Sequence, residues 1–198
     1  MSKTNAEYSA QTKRQLLLAG RREFAHAGYI GASTERIVDA AGLTRGALYH
    51  HYRDKRELFE AVFTELEREI AERIEERSSH KRDPFDALVA GCDAWLDACL
   101  DEEVRRIVLL DAPAVLGWRR WMEIDADYGA GLLRKGIETC LEAGLLVAVD
   151  AATLTHLLSG GMNEVALQLA QSAEAPKLRR TVGRTLHSLL GGLRGSPR

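Results

Sequence analysis

Apolar residues recur at helical spacing along most of the chain, and glycine, proline or capping residues separate the helices that they predict. The first predicted helix, over 9–26, carries an apolar stripe through Leu16 and Phe24 and ends before Gly28, because glycine ends helices without steric cost. A long helix over 54–77 has a seam of phenylalanine, leucine and isoleucine. The pattern therefore predicts an all-α protein.

Between these two helices, the segment 33–59 reads as a helix, a tight turn and a second short helix. Thr34 is predicted to cap the first of them through its hydroxyl, and Gly42 to end it. Thr44 is predicted to cap the second, over 45–52. Two short helices joined in this way are typical of a helix-turn-helix, which places its second helix in the DNA major groove.

The second short helix has one apolar face and one polar face. Ala47 and Leu48 are predicted to face inward. The outward-facing residues are then Arg45, Gly46, Tyr49 and His50. Asp54 is predicted to cap the helix that follows.

The rest of the chain predicts further helices. A polar linker over 78–84 is followed by predicted helices over 85–100, from Asp101 with an interruption at Pro113, over 117–143, over 151–172, and after 175–176. The apolar run 145–149 would pass for a strand if taken alone, and we interpret it as a connection between helices.

The last two predicted helices have more apolar surface than one buried stripe needs. The helix over 151–172 carries two apolar faces, which indicates burial on both sides. Small residues on it leave room for another backbone to approach. Either a dimer interface or an intramolecular core accounts for this pattern.

Charge is distributed unevenly along the 198 residues, although the net charge is only −2. Residues 1–56 hold ten Lys/Arg and five Asp/Glu, a net charge of +5, and the remainder carries −7. A basic N-terminal end suits contact with a polyanion, while solvated charged faces alone also produce a modest imbalance.

Composition narrows the class of protein. At 45% hydrophobic and 28% charged residues, the chain is typical of globular proteins. The three cysteines, Cys92, Cys99 and Cys140, argue against a disulfide framework, and buried thiols or a redox-sensing thiol remain as interpretations.

With no long apolar run and no signal-peptide core, we expect a cytoplasmic protein, bound to the nucleoid when on DNA, with no membrane contact.

The run T-x-x-I-x-x-x-A-G-L-T-R-G-A-L-Y-H-H-Y-x-D-K-x-x-L-F resembles the DNA-binding segment of the TetR family of bacterial one-component regulators. The resemblance covers the first quarter to third of the chain. It implies a three-helix helix-turn-helix domain over 1–56, and a helical effector-binding and dimerisation domain over 57–198. It also favours the dimer interpretation of the last two helices, through Leu157, Gly160, Gly161, Leu178, Val182, Leu186 and Leu189.

The resemblance also implies roles for individual residues of the helix-turn-helix. The implied phosphate contacts are Thr34, Tyr49 and Lys55; the implied base-facing residues are Arg36, Thr44, Arg45 and Gly46; and His50 is suited to either role. The arginine fork matches guanine O6 and N7. The pair His50-His51 also invites a metal interpretation, but adjacent helical residues diverge by about 100°. No metal site and no cofactor are predicted.

An effector cavity is expected between the C-terminal helices. Its candidate residues are Trp95, Trp118, Met122, Tyr128, His156 and Asn163, for which core packing is the alternative.

The predicted function is that of a homodimeric regulator, more specifically a repressor. It is predicted to bind a near-palindromic operator and to leave it when a small molecule binds. The rival is a ligand-binding or enzymatic helical bundle, but P-loop, GxSxG and HExxH motifs are absent from the sequence.

Overall fold

A computed structural model describes residues 4–195, and in that range it confirms an all-α fold. The only β pairing among these residues is an isolated antiparallel bridge between Leu146 and Arg194. The helices are α1 (Asn5–Gly31), α2 (Thr34–Ala41), α3 (Arg45–His51), α4 (Lys55–Ser79), α5 (Pro84–Ala98), α6 (Glu102–Val104), α7 (Ala112–Leu116), α8 (Trp118–Asp127), α9 (Gly129–Glu142), α10 (Ala151–Gln171) and α11 (Ala175–Gly192), with a π-helical segment, Arg105–Asp111, between α6 and α7.

Local capping fixes the helix-turn-helix largely as predicted. Gly42 ends α2 in the left-handed conformation, with φ of 65°. The Thr44 hydroxyl accepts a 3.2 Å hydrogen bond from the Ala47 amide and so caps α3. The prediction for Thr34 was wrong, because Ser33 caps α2 by accepting from the Arg36 amide, and Thr34 is the first helical residue.

Asp54 caps α4 as predicted, accepting a 2.8 Å hydrogen bond from the Glu57 amide. The 25 residues of α4 continue without interruption past position 56, where the sequence placed the domain boundary. That boundary stays an expectation, since α4 packs against α1 of the N-terminal domain and against α5 of the C-terminal domain.

The predicted single helix over 117–143 was wrong. The chain breaks at Tyr128, with φ of −125° and ψ of −102°, so that α8 and α9 are separate helices. The Asp125 carboxylate accepts a 3.3 Å hydrogen bond from the Ala130 amide at the start of α9. This contact lies across the break and gives a partner to one of the free amides of the new helix.

The chain does not break at Pro113, where the sequence predicted an interruption, because helical conformation continues from Glu102 to Leu116. The helix is irregular before the proline: the Ala112 amide bonds to the carbonyl of Ile107, five residues back, which is the π-helical pattern. Pro113 follows in the first turn of α7.

One continuous apolar core joins the helix-turn-helix to the C-terminal helices. Phe24 of α1 and Phe59 of α4 are fully buried and meet edge to face, with ring centroids 5.1 Å apart. The same core extends along α4 through Phe63 and Ile70 to α7 and α8. The helix-turn-helix is therefore packed directly against the C-terminal domain. Within residues 4–195, no helix is both long and apolar enough to cross a membrane.

Candidate DNA-binding surface and effector cavity

The helix α3 presents one face to solvent and buries the other. Leu48 is fully buried, whereas Tyr49 is 45% exposed and His50 is exposed. Tyr52, at the end of α3, is buried, and burial raises its pKa to about 12. This division matches the sequence prediction: Tyr52 belongs to the core, and Tyr49 is free to contact a partner.

Gly46 lies on the exposed face of α3, in an ordinary helical conformation. A methyl group added there would come no closer than 3.7 Å to its neighbours, the nearest atom being the Thr44 hydroxyl. Internal packing therefore does not require glycine at this position. The absence of a side chain instead leaves space on the outer surface, as close approach of a DNA backbone would need.

Arg45 is exposed at the start of α3 and is paired within the domain. Its guanidinium forms a 2.8 Å ion pair with Glu35 and lies 5.9 Å from the centre of the Tyr49 ring. These contacts hold the side chain on the surface of the helix-turn-helix. An exposed pair of this kind is weak, typically worth about 0–1 kcal/mol, so a guanine edge can displace Glu35.

Arg36 points toward α1. Its guanidinium donates a 2.7 Å hydrogen bond from Nε to Glu23 and a further one from Nη2 to the carbonyl of Gly31. The hydrogen bond from Arg36 holds the pKa of the Glu23 carboxyl below its ordinary value. Arg36 thus connects α2 to the end of α1, and its role as a base contact stays a prediction.

Lys55, the first residue of α4, also has partners inside the protein. Its ammonium donates to the carbonyl oxygens of Tyr29 at 2.8 Å and Ala32 at 2.9 Å. It lies 4.5 Å from the centre of the Tyr29 ring. Lys55 therefore secures the end of α1, where carbonyl groups lack helical partners. A phosphate contact at this residue stays a prediction.

The two adjacent histidines contact each other edge to face, with ring centroids 5.1 Å apart. Partial burial and the charges of His50 and Lys13 lower the pKa of His51. Among residues 4–195, no group of three or more His, Cys, Asp or Glu side chains is placed to hold a metal ion.

A cavity of about 400 Å³ lies between α4, α5, α9 and α10. Its wall is mostly apolar, with Leu88 and Met162 among the lining residues. Two of the six predicted effector residues, Trp95 and Asn163, line it. A volume of this size is within the range of small-molecule sites.

The other four predicted effector residues lie outside this cavity. Trp118 is 60% exposed in the first turn of α8 and stacks on Trp121, with ring centroids 5.0 Å apart. Met122 and His156 are exposed, and Tyr128 packs against the core at the break between α8 and α9. The sequence predicted that these residues lie on helices, but it did not show which side of each helix faces the cavity.

Sequence reasoning missed two buried carboxyl groups. Asp125 lines the cavity, and Glu67 of α4 is only 3% exposed. Burial raises the pKa of Asp125 to about 6, against a smaller lowering by the Ala130 amide. Burial, and then the charge of Asp125, raises the pKa of Glu67 to about 8. An acidic residue within the apolar seam of α4 was the available signal.

The predicted interface residues divide into two groups. Leu157 of α10 is 70% exposed, Leu189 of α11 is 51% exposed, and added methyl groups at Gly160 and Gly161 would meet nothing within 4 Å. By contrast, the half-buried residues Leu178, Val182 and Leu186 pack against the C-terminal core. The first group forms an uncovered apolar surface, and the second group serves the fold of one protomer.

The exposed second helix of a helix-turn-helix is joined through one core to a helical domain that contains an apolar cavity. This arrangement is typical of a DNA-binding regulator. Two family models match the chain: "Bacterial regulatory proteins, tetR family" over residues 16–62, and "Tetracyclin repressor-like, C-terminal domain" over residues 85–193. The chain belongs to the TetR family of transcriptional regulators. Members of this family are not enzymes, so the enzymatic alternative is excluded.

Relatives agree with this assignment. A crystal structure of a TetR-family transcriptional regulator from Pectobacterium atrosepticum is 31% identical, covers 99% of this chain and 100% of its own, and superposes with a TM-score of 0.83. The transposon Tn10 TetC protein of Escherichia coli is 25% identical over 79% of each chain. The HTH-type transcriptional repressor Rv1474c of Mycobacterium tuberculosis is 42% identical over 74 residues, 37% of each chain.

Proposed function

We propose that this protein is a repressor that binds a near-palindromic DNA operator as a homodimer and leaves it when a small molecule occupies the cavity. The exposed face of α3 carries the proposal: Arg45, Gly46, Tyr49 and His50 face outward around a buried Leu48. Arginine at the start of the helix is suited to a guanine edge, and Tyr49 is suited to a phosphate.

The homodimer rests on the uncovered apolar surface of α10 and α11. Leu157 and Leu189 are large exposed leucines, and the adjacent Gly160 and Gly161 let a second backbone approach closely. A two-fold copy of this surface would form a four-helix interface. Two α3 helices then read half-sites about 34–36 Å apart, one turn of DNA.

Release follows from the connection between the two domains. The cavity is bounded by α4, whose first turn holds the helix-turn-helix through Lys55. A ligand that binds more tightly to a conformation with another spacing of the two α3 helices shifts the population toward it. The shift is limited by that difference in affinity.

Selection of operators from a random duplex pool tests the proposal directly. We expect the full-length protein to enrich a near-palindromic sequence, with the two half-sites one helical turn apart, and to bind it as a dimer. Enrichment of an isolated half-site by a monomer would contradict the dimer. The rival class, a ligand-binding bundle whose N-terminal motif contacts proteins, gives no enriched sequence and little dependence of DNA binding on salt.

A further inference from the structure

Two buried carboxyl groups lie near each other beside the effector cavity, and one of them lines it. Asp125, at the end of α8, lines the cavity, and Glu67 of α4 lies close enough for the charge of Asp125 to raise its pKa. Glu67 does not line the cavity, but it shares its face of α4 with Ile74 and Ser78, which do. Asp125 therefore borders the space available to a ligand, with the Glu67 carboxyl buried nearby.

The pair has no cationic partner in the protein. Among residues 4–195, the Glu67 carboxyl takes part in no hydrogen bond or ion pair. Asp125 accepts one hydrogen bond, from the Ala130 amide. A buried carboxyl without a donor is unusual, because nearly all buried polar groups in proteins are hydrogen-bonded.

The other charged side chains that line the cavity form no ion pair with these two carboxyl groups within residues 4–195. Glu75 of α4 and Lys135 of α9 line the cavity but are exposed, and neither forms an ion pair with Glu67 or Asp125 within residues 4–195. A further titratable neighbour of Glu67 is the buried thiol of Cys99, directly after α5, which is an acid as well. The cavity is therefore bordered by a carboxyl group, Asp125, that has no cationic partner within residues 4–195.

The remainder of the cavity suits an apolar body with an aromatic contact. A methyl group placed at Gly129 would lie 3.0 Å from Oδ1 of Asp125 and 3.9 Å from Nε1 of Trp95, so the carboxyl and the indole converge on one spot. Leu88 and Met162 provide apolar surface nearby. Organic cations are stabilised both by an aromatic face and by a buried carboxylate.

We propose that the effector is a hydrophobic organic cation, such as a protonated amine, whose charged end pairs with Asp125 while its apolar body fills the cavity. This inference rests on the proposed function in one respect only, which is that it calls the ligand an effector. Binding of the ligand to the protein can be measured without DNA.

A matched set of probes tests the ligand class on the full-length protein. We would titrate 4-phenylbutylammonium, 4-phenylbutan-1-ol and 4-phenylbutanoate, which share one apolar body, and follow heat and tryptophan fluorescence at pH 7. The expected result is that the amine binds at least about tenfold more tightly than the alcohol, and that the carboxylate binds most weakly. Equal or tighter binding of the alcohol or the carboxylate would overturn the proposal, as would no saturable binding of the amine.

Two variants assign the preference to Asp125. Asp125→Asn keeps the shape of the side chain and should reduce the ratio of amine to alcohol affinity about tenfold. Asp127→Asn, the same change at an exposed position of α8 outside the cavity lining, should leave that ratio unchanged. A general loss of structure weakens both ligands alike, so the ratio separates a direct role from misfolding.

DNA release is measured separately, on the selected operator. If the amine binds but the operator stays bound, the proposed release mechanism is wrong and the ligand class stands. If only neutral or anionic compounds release the operator, the ligand class is wrong and the proposed release mechanism stands.

Discussion

The backbone amide of Tyr29 donates a 2.8 Å hydrogen bond to the carboxylate of Asp111. This contact joins the last turn of α1 to the π-helical segment of the C-terminal domain. Arg106 lies 3.4 Å from the same carboxylate oxygen. Arg56, in the first turn of α4, adds hydrogen bonds of 3.1 Å to the carbonyls at the end of α7. A movement of α7 together with the π-helical segment would therefore be transmitted to both α1 and α4.

Replacing Asp111 tests the strength of this connection. Asp111→Ala leaves the half-buried Tyr29 amide without its acceptor, and we expect a loss of about 1–3 kcal/mol in the free energy of unfolding, measured with urea. Asp111→Asn keeps an acceptor oxygen and should lose less. Asp127→Ala, an exposed aspartate on α8, is the control and should change stability by less than about 0.5 kcal/mol. An Asp111→Ala variant as stable as this control would contradict the argument.

Two glycines in the N-terminal domain should respond to alanine in opposite ways. Gly28 has φ of 66°, and an added methyl group would lie 1.8 Å from the guanidinium of Arg106. Gly28→Ala should destabilise the protein by more than the roughly 1–3 kcal/mol of backbone strain alone, because φ of 66° with ψ of 169° is a conformation essentially restricted to glycine. Gly46→Ala, in open space on α3, should stabilise it by about 0.5–1 kcal/mol, yet weaken operator binding.

The double variant Gly28→Ala/Arg106→Ala separates strain from collision in thermal unfolding. The double variant should regain the stability that Gly28→Ala loses through contact with the Arg106 guanidinium. It should still lack the stability that is lost through backbone strain. If Gly46→Ala left operator affinity unchanged, the exposed face of that glycine would not approach DNA.

Local rules predicted the helix-turn-helix well because its boundaries depend on neighbours in sequence. Gly42, Thr44 and Asp54 act within one helical turn, and each functions as predicted. The prediction that Thr34 rather than Ser33 caps α2 was wrong by one residue, because the hydroxyl groups of these two adjacent residues are both suited to capping.

Tertiary contacts decided what the sequence did not reveal. The break at Tyr128 is followed by Gly129 and Gly131, and a methyl group at Gly131 would lie 2.5 Å from the carbonyl oxygen of Ala126. The sequence did not show whether these glycines interrupt the helix or lie within it. The partners of Lys55 are backbone carbonyls at the end of α1, which no pattern in the sequence indicates. The cavity likewise depends on four helices meeting, so only Trp95 and Asn163 were identified.

Arg45 and Lys55 should differ in their effects on DNA binding. Arg45→Ala should relax the base preference at one operator position by about 1–3 kcal/mol, and leave stability nearly unchanged because the side chain is exposed. Lys55→Ala should lower stability through its two lost carbonyl contacts. If Lys55 also touches phosphate, its loss weakens binding to all sequences alike and flattens log K against log salt by about 0.9.

Binding isotherms on the selected operator and on scrambled duplexes, at several salt concentrations, separate these effects. Equal losses on every sequence for Arg45→Ala would refute its role in base recognition. An unchanged salt slope for Lys55→Ala would leave that lysine with a structural role alone.

The uncovered surface of α10 and α11 should control oligomeric state. Leu157→Glu places a charge at the centre of the proposed interface, and we expect at least about a tenfold rise in the dimer dissociation constant, equivalent to about 1.4 kcal/mol. Ile30→Glu changes an even more exposed apolar residue on α1 and should leave the dimer intact. Sedimentation velocity over a range of concentrations distinguishes them, and a Leu157→Glu dimer of normal strength would place the interface elsewhere.

Glu67 should make the protein less stable as pH rises. Burial raises the pKa of this carboxyl from 4.5 to about 8, so the folded state retains a proton that the unfolded chain releases. Stability contributed by the protonated group is therefore fully present below about pH 4.5 and declines up to about pH 8, where the folded protein must ionise it. The decline is on the order of 5 kcal/mol, since one pKa unit corresponds to about 1.4 kcal/mol.

Glu67→Gln removes the ionisable group while keeping the shape of the side chain, so this decline should disappear. Thermal unfolding at pH 5 and pH 8, at one protein concentration, should show the variant gaining on the unmodified protein only at the higher pH. Glu75→Gln, exposed on the same helix, should leave the pH dependence as it is. If the unmodified protein were equally stable at both pH values and Glu67→Gln changed nothing, the Glu67 carboxyl would have a hydrogen-bond donor in solution and would not be an unpaired buried group.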